Sequence, residues 1–165
     1  MTVGAASPGP APGEWFPAVE RDDASAAFFD AAARGDLLVQ RCLDCACVLG
    51  PETKLCLVCG SATLEPYVAN GRGRLVSWVT VHHAPVPALA DAVPYVSAIV
   101  ELDEGPWILT RLVGLDVRVP LTAGRPVSVS IVPSETAADG TIAGESLAAF
   151  APRPDRPFGL DQVAS

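Results

Sequence analysis

Hydrophobic and polar positions along this chain form two periodic regimes on either side of a cysteine-rich stretch. From Ala24 to Arg34, Phe28 and Phe29 sit among alanines, which predicts a helix with a narrow apolar face. Asp22 or Asp23 is placed to cap its start, and Gly35 stands where a left-handed C-cap belongs. Leu37 to Arg41 reads as a short strand. After Tyr67–Val68 the period becomes two: Leu75, Ser77, Val79 and Val81 alternate with Val76, Trp78, Thr80 and His82. A second such run, Tyr95 to Leu102, is separated from Trp107 to Val113 by the turn Asp103-Glu104-Gly105-Pro106, predicting a hairpin. Further strands are expected at Pro126 to Val132 and near Leu147 to Phe150. Four or five short strands with turns between them predict a small closed barrel or sandwich. There is no βαβ alternation, which argues against a doubly wound nucleotide fold. No internal repeat is visible.

Composition adjusts this picture at the ends. Seven of the 16 prolines lie in residues 1–20 or in Pro152 to Pro157, so the pattern predicts a flexible leader over 1–20 and a flexible tail over 153–165. Half of the 165 residues are hydrophobic, enough for a core and incompatible with wholesale disorder. No apolar run approaches the roughly 20 residues of a transmembrane helix, and the first residues lack the charged and apolar regions of a secretory signal. The expected setting is therefore cytoplasmic, without a membrane partner. A formal net charge of -8 weighs against nucleic acid, whose binding requires lysine and arginine to neutralise phosphates. It weighs equally against a polybasic membrane-surface role.

The chemical signal is Cys42-Leu43-Asp44-Cys45, a ten-residue spacer, and Cys56-Leu57-Val58-Cys59-Gly60. Each Cys-x-x-Cys turn converges two sulfurs on one ion, and two turns supply the four thiolates that Zn²⁺ favours. The spacer is too short for a finger helix and long enough for a hairpin that opposes two knuckles, as in a zinc ribbon. Iron and a redox-active pair remain the alternatives. A four-thiolate site has no open coordination position, so the metal is expected to be structural. Cys47 is left over, either as a small residue packed in the ribbon or as an alternative ligand.

From Phe28 onward the chain resembles the DUF35 family, whose members pair a rubredoxin-like zinc ribbon with an OB-fold. The likeness rests on FFDAAARGDLLVQRC, the Cys42/Cys45/Cys56/Cys59 set, GSATLEPYVANGRGRLVSWVTVHH, VPYVSAIVELDEGPWILTRLVG and the closing FAP at Phe150, together residues 28 to 152. The long proline-rich leader and the stretch from Thr136 to Thr141 depart from it. The resemblance implies a mostly β fold: an N-terminal helix and zinc ribbon over 21–68, then a five-stranded OB-fold barrel over 69–152. It also implies a non-catalytic subunit of a thiolase-fold enzyme handling acyl-CoA, such as a thiolase, an acyltransferase or a steroid side-chain retro-aldolase. A hotdog-fold enoyl-CoA hydratase is a further implied partner, and acyl-CoA a ligand of the OB part.

Other residues carry weaker signals. Gly71-Arg72-Gly73 feeds a strand rather than a helix N-terminus, so a turn or bulge is favoured over a phosphate cradle. Arg72 and Arg74 are nevertheless candidate contacts for CoA phosphates, which guanidinium forks suit. His82 and His83 are adjacent on a strand end, point to opposite faces, and have no motif partner for catalysis. The apolar loop from Ala84 to Val93 suits docking to a partner or packing on the barrel. Trp78 and Trp107 suit either the core or a base-stacking platform, and the acidic charge favours the core. A single-strand-binding OB module and an independent acyl-CoA enzyme are the two competing functions.

Overall fold

A computed structural model describes residues 15–135, 139–141 and 144–153. The expected leader up to residue 14 and the tail from residue 154 lie outside the described residues.

The helix α1 spans Ala26–Ala33 and begins later than expected. Neither aspartate caps it with its side chain. Instead Asp22 closes the preceding turn: its carboxylate accepts the Ser25 N–H at 2.8 Å, and its backbone carbonyl accepts the Ala26 N–H at 2.9 Å. Gly35 ends the helix in the left-handed region at φ +91. Phe29, Ala31 and Ala32 are buried, and the helix packs on the first and last strands.

Three strands form the ribbon sheet: β1 (Leu37–Cys42), β2 (Val48–Leu49) and β3 (Leu64–Ala69), in the order β2-β1-β3, all antiparallel. Neither β2 nor β3 was anticipated from the pattern. β3 is an edge strand, and Pro66 within it discourages further pairing.

The remaining strands are β4 (Arg72–Val81), β5 (Tyr95–Leu102), β6 (Trp107–Leu112), β7 (Pro126–Pro133) and β8 (Ser146–Pro152). They close into a barrel in the order β4-β5-β6-β8-β7. Barrel rather than sandwich is thus the outcome, as the OB-fold resemblance implied. The β6–β8 contact is parallel and short, pairing Leu112 with Phe150 and reinforced by the Val113 N–H to the Phe150 carbonyl at 2.8 Å. Closure removes free edges.

Glycines make β4 possible. Gly71 turns the chain at φ +71, and a Cβ on Gly73 would collide with the Glu101 carbonyl and the Val100 side chain. Gly71-Arg72-Gly73 is therefore the close approach that opens the barrel. A bulge between Leu75 and Ser77 then changes which side chains face inward. Before it, Leu75 lies opposite buried Val100. After it, Trp78 and Thr80 oppose buried Ala98 and Val96, while Ser77 and Val79 turn outward.

One core serves both parts. Leu37, Val39 and Ala69 of the ribbon sheet share a cluster with barrel residues such as Leu75, Val100, Leu112, Val127 and Phe150. A second, small cluster surrounds Cys42, Leu49 and Cys56, with Cys47 and Leu64 packed against it.

Candidate metal centre and barrel surface

The two knuckles repeat each other bond for bond. In the first, the Ala46 N–H donates to the Cys42 carbonyl and the Cys42 N–H to the Cys47 carbonyl, both at 2.9 Å. In the second, the Gly60 N–H donates to the Cys56 carbonyl and the Cys56 N–H to the Ser61 carbonyl, both at 2.8 Å. Ala46 and Gly60 are both left-handed, at φ +61 and +77. This is a six-residue internal repeat, CLDCAC against CLVCGS, too short to register as a domain-scale repeat in the sequence.

The repeat brings Cys42, Cys45, Cys56 and Cys59 together, with all four sulfurs within 4.8 Å of one another. Cys42 Sγ lies 3.6 Å from Cys59 Sγ, and Cys45 Sγ 3.6 Å from Cys56 Sγ. A tetrahedron with Zn–S bonds of about 2.3 Å has sulfur–sulfur edges of about 3.8 Å, so the set fits the ion. Cys42 and Cys56 are buried, while Cys45 and Cys59 face solvent.

Backbone N–H groups tune the thiols unequally. Those of Cys59 and Val58 favour the Cys56 thiolate against burial and hold its pKa at about 6. The Ser61 N–H favours the Cys59 thiolate, but the partial desolvation of its sulfur and the neighbouring sulfurs outweigh it and push that thiol up to about 12. Cys45 behaves similarly: the Cys47 N–H favours its thiolate, yet partial desolvation of its sulfur and the Cys56 sulfur raise it to about 11. A metal ion held by Cys42, Cys45, Cys56 and Cys59 would supply the positive charge that favours thiolates at the site.

Cys47 stands outside this group of four, its sulfur 3.9 Å from that of Cys56. It occupies the position of Ser61 in the other knuckle, and burial raises its thiol above the ordinary range. Of the two readings of Cys47, its packing in the small ribbon cluster matches the first.

Arg72 and Arg74 lie exposed on β4, flanking buried Gly73. Arg74 is in register with Glu101 and shares a shallow surface depression with Asp103. His82 and His83 are exposed just beyond β4. The core expectation for the tryptophans is not met: Trp78 is 37% exposed and Trp107 60%. Trp78 follows the bulge and pairs with Ala98, and Trp107 sits on the outer face of β6, its indole N–H donating to Glu101 Oε1 at 3.1 Å.

Arg111, which no motif singles out, organises the N-terminal segment. Its guanidinium stacks between Phe16 at 4.3 Å and Tyr95 at 4.0 Å and donates to the Trp15 carbonyl at 2.7 Å. A cleft of about 590 Å³ lies beside this strap and is lined by Phe16, Val113, Ser134 and Glu135 among others.

Family profiles match in the same two pieces. The ChsH2 rubredoxin-like zinc ribbon domain covers residues 29–65, and the ChsH2 C-terminal OB-fold domain covers residues 67–132. A solved structure, the Ltp2-ChsH2(DUF35) aldolase, superposes with a TM-score of 0.61 at 34% identity, covering 82% of this chain and 98% of that one. The chain belongs to the DUF35 family. Among curated relatives, a probable enoyl-CoA hydratase alpha subunit of Thermomonospora curvata is 40% identical over 99 residues, 60% of this chain and 30% of its own length. A DUF35 domain-containing scaffold protein of Pyrococcus furiosus is 32% identical over 69 residues, 42% of this chain and 50% of that protein. The chain spans between 30% and 62% of the curated relatives it matches. Among the described residues no helix is long and apolar enough to cross a membrane.

Proposed function

We propose that this chain is a non-catalytic subunit that docks to a thiolase-fold enzyme acting on acyl-CoA and helps form its acyl-CoA site. Steroid side-chain retro-aldolases are the favoured class, ahead of thiolases and acyltransferases. The observation that carries the reading is the near-complete coverage, at 34% identity, of a chain of the Ltp2-ChsH2(DUF35) aldolase. A hotdog-fold enoyl-CoA hydratase is a second partner class, supported by the Thermomonospora relative.

Zn²⁺ is assigned to Cys42, Cys45, Cys56 and Cys59, where its role is to hold the two knuckles together. Four thiolates leave it no position for substrate or water, which supports a scaffolding role. Arg72 and Arg74 are the candidate contacts for CoA phosphates. The working units are a helix and ribbon over 21–68 and the barrel over 69–152.

Affinity purification from the native source tests the reading. A thiolase-fold protein should co-elute at fixed stoichiometry and be identified by mass spectrometry. Recovery of the chain alone, as a monomer, overturns it.

A further inference from the structure

The outer faces of β4, β5 and β6 carry an apolar stripe that the fold does not use. Cross-strand register places Leu109 opposite Ile99 and Ile99 opposite Ser77, while Ser97 lies opposite Val79. Such partners sit roughly 5 Å apart and their diagonals roughly 7–8 Å, so Trp107, Leu109, Ile99 and Val79 form one surface. Leu109 is 78% exposed, Trp107 60% and Val79 57%. A closed barrel buries the opposite face of these strands, so their outer positions are expected to be polar. Large apolar side chains there, with a tryptophan among them, mark a contact surface.

The N-terminal segment reaches this face of the barrel but stops short of the stripe. Two residues beyond Leu109, Arg111 is capped by Phe16 and Trp15 of the N-terminal segment. The strap meets the sheet at Arg111, and Leu109 stays open. At its other end the stripe runs into a cleft of about 450 Å³ between Trp107, Leu109 and the ribbon loop at Pro51 and Thr53. The surface is thus continuous from barrel to ribbon.

Charge selects the occupant. Glu101 and Asp103 stand at the Trp107 end, and Glu52 lines the cleft. Arg74 is in register with Glu101 but forms no ion pair with it among the described residues. A second copy of this chain would oppose acid to acid, at a formal net charge of -8 apiece. An anionic lipid surface is repelled for the same reason.

We infer that this stripe seats an apolar segment of the partner enzyme that carries lysine or arginine at its flanks, an inference that rests on the subunit reading above. Charge complementarity of this kind steers encounter and fixes register, while the apolar centre supplies affinity.

The test uses the full chain co-expressed with its co-purified thiolase-fold partner. A photo-crosslinking phenylalanine analogue is placed at Leu109 in one sample and at Leu57 on the knuckle tip in another. Position 109 should crosslink to a partner peptide with basic residues beside apolar ones. Leu109→Asp should weaken association at least tenfold with zinc content unchanged, and Glu101→Lys should weaken it and flatten its salt dependence. Three results overturn the inference while leaving the subunit reading intact: a complex crosslinked only from position 57, crosslinks from 109 to a second copy of the chain, or Leu109→Asp without effect. Failure to obtain any thiolase-fold complex overturns both.

Discussion

Ala46 and Gly60 occupy the same position in the two knuckles, each following the second cysteine of its pair and each left-handed, at φ +61 and +77. Only the second has the residue type suited to that conformation. An L side chain there costs roughly 1–2 kcal/mol, partly offset by the smaller unfolded-state entropy of alanine relative to glycine. Ala46→Gly should therefore raise stability by about 0.5–1 kcal/mol. Gly60→Ala should lower it by about the same amount, because a Cβ at Gly60 meets nothing within 4 Å and only the backbone objects. Denaturant unfolding of the zinc-loaded protein, at fixed zinc concentration, measures both.

The four-sulfur site makes a pH-dependent prediction. Without metal at pH 7, Cys56 is ionised, its pKa held at about 6, whereas Cys45 and Cys59 are protonated, with thiols at about 11 and 12. Zinc binding must then displace at least the protons of Cys45 and Cys59. Affinity should fall as pH drops, and more steeply below pH 6, where Cys56 also takes up a proton. For the metal-free chain the signs oppose. The depressed Cys56 adds stability as pH rises from 6 towards 9, and the raised Cys45 and Cys59 lose theirs from 9 towards 11 and 12. Calorimetric zinc titration in buffers of different ionisation enthalpy counts the protons. Cys56→Ser should release the metal, and unchanged zinc content in that variant would remove the ligand assignment.

The strands and the sulfur site were legible because each has a strong local signature: period-two β-branched runs, and paired cysteines at knuckle spacing. The phase of β4 was not. Its alternation puts Leu75, Ser77, Val79 and Val81 on one face, but the bulge after Leu75 inserts a residue and sends Val79 outward at 57% exposure. Nothing in Val76-Ser77-Trp78 marks a bulge. β3 has no comparable local signature: its pairing with β1 is long-range, and Pro66 interrupts its run. Arg111 was missed because its partners, Phe16 and Tyr95, are separated from it in sequence and meet only in the folded barrel.

Phe150 and Leu109 separate core from surface. Phe150 is fully buried in β8 at the β6–β8 closure, and Leu109 is 78% exposed on β6. Phe150→Ala should cost about 3–5 kcal/mol through lost burial and the cavity it leaves. Leu109→Ser should change the stability of the isolated chain by less than about 0.5 kcal/mol. Thermal unfolding of the two variants beside the parent protein provides the comparison. Similar losses in both would mean that the stripe is packed within the chain and not presented to a partner.

Arg111 makes the last prediction. Its guanidinium stacks on Phe16 and Tyr95, and donates to the Trp15 carbonyl, so it ties the segment before α1 to the outer barrel face. Burial lowers its pKa, so its hydrogen bonding and stacking offset a desolvation cost. Arg111→Ala should loosen the strap while leaving the barrel folded, because it removes the stacking on Phe16 and the bond to the Trp15 carbonyl and leaves the Glu135 N–H to the Phe16 carbonyl in place. Lysine preserves the charge but not the planar face that lies between two rings, so Arg111→Lys should restore little of the protection. Hydrogen exchange over residues 15–25 reads the effect directly: tenfold or greater acceleration is expected in both variants, with exchange in β5 and β7 unchanged. Acceleration throughout the barrel would show instead that Arg111 supports the fold as a whole.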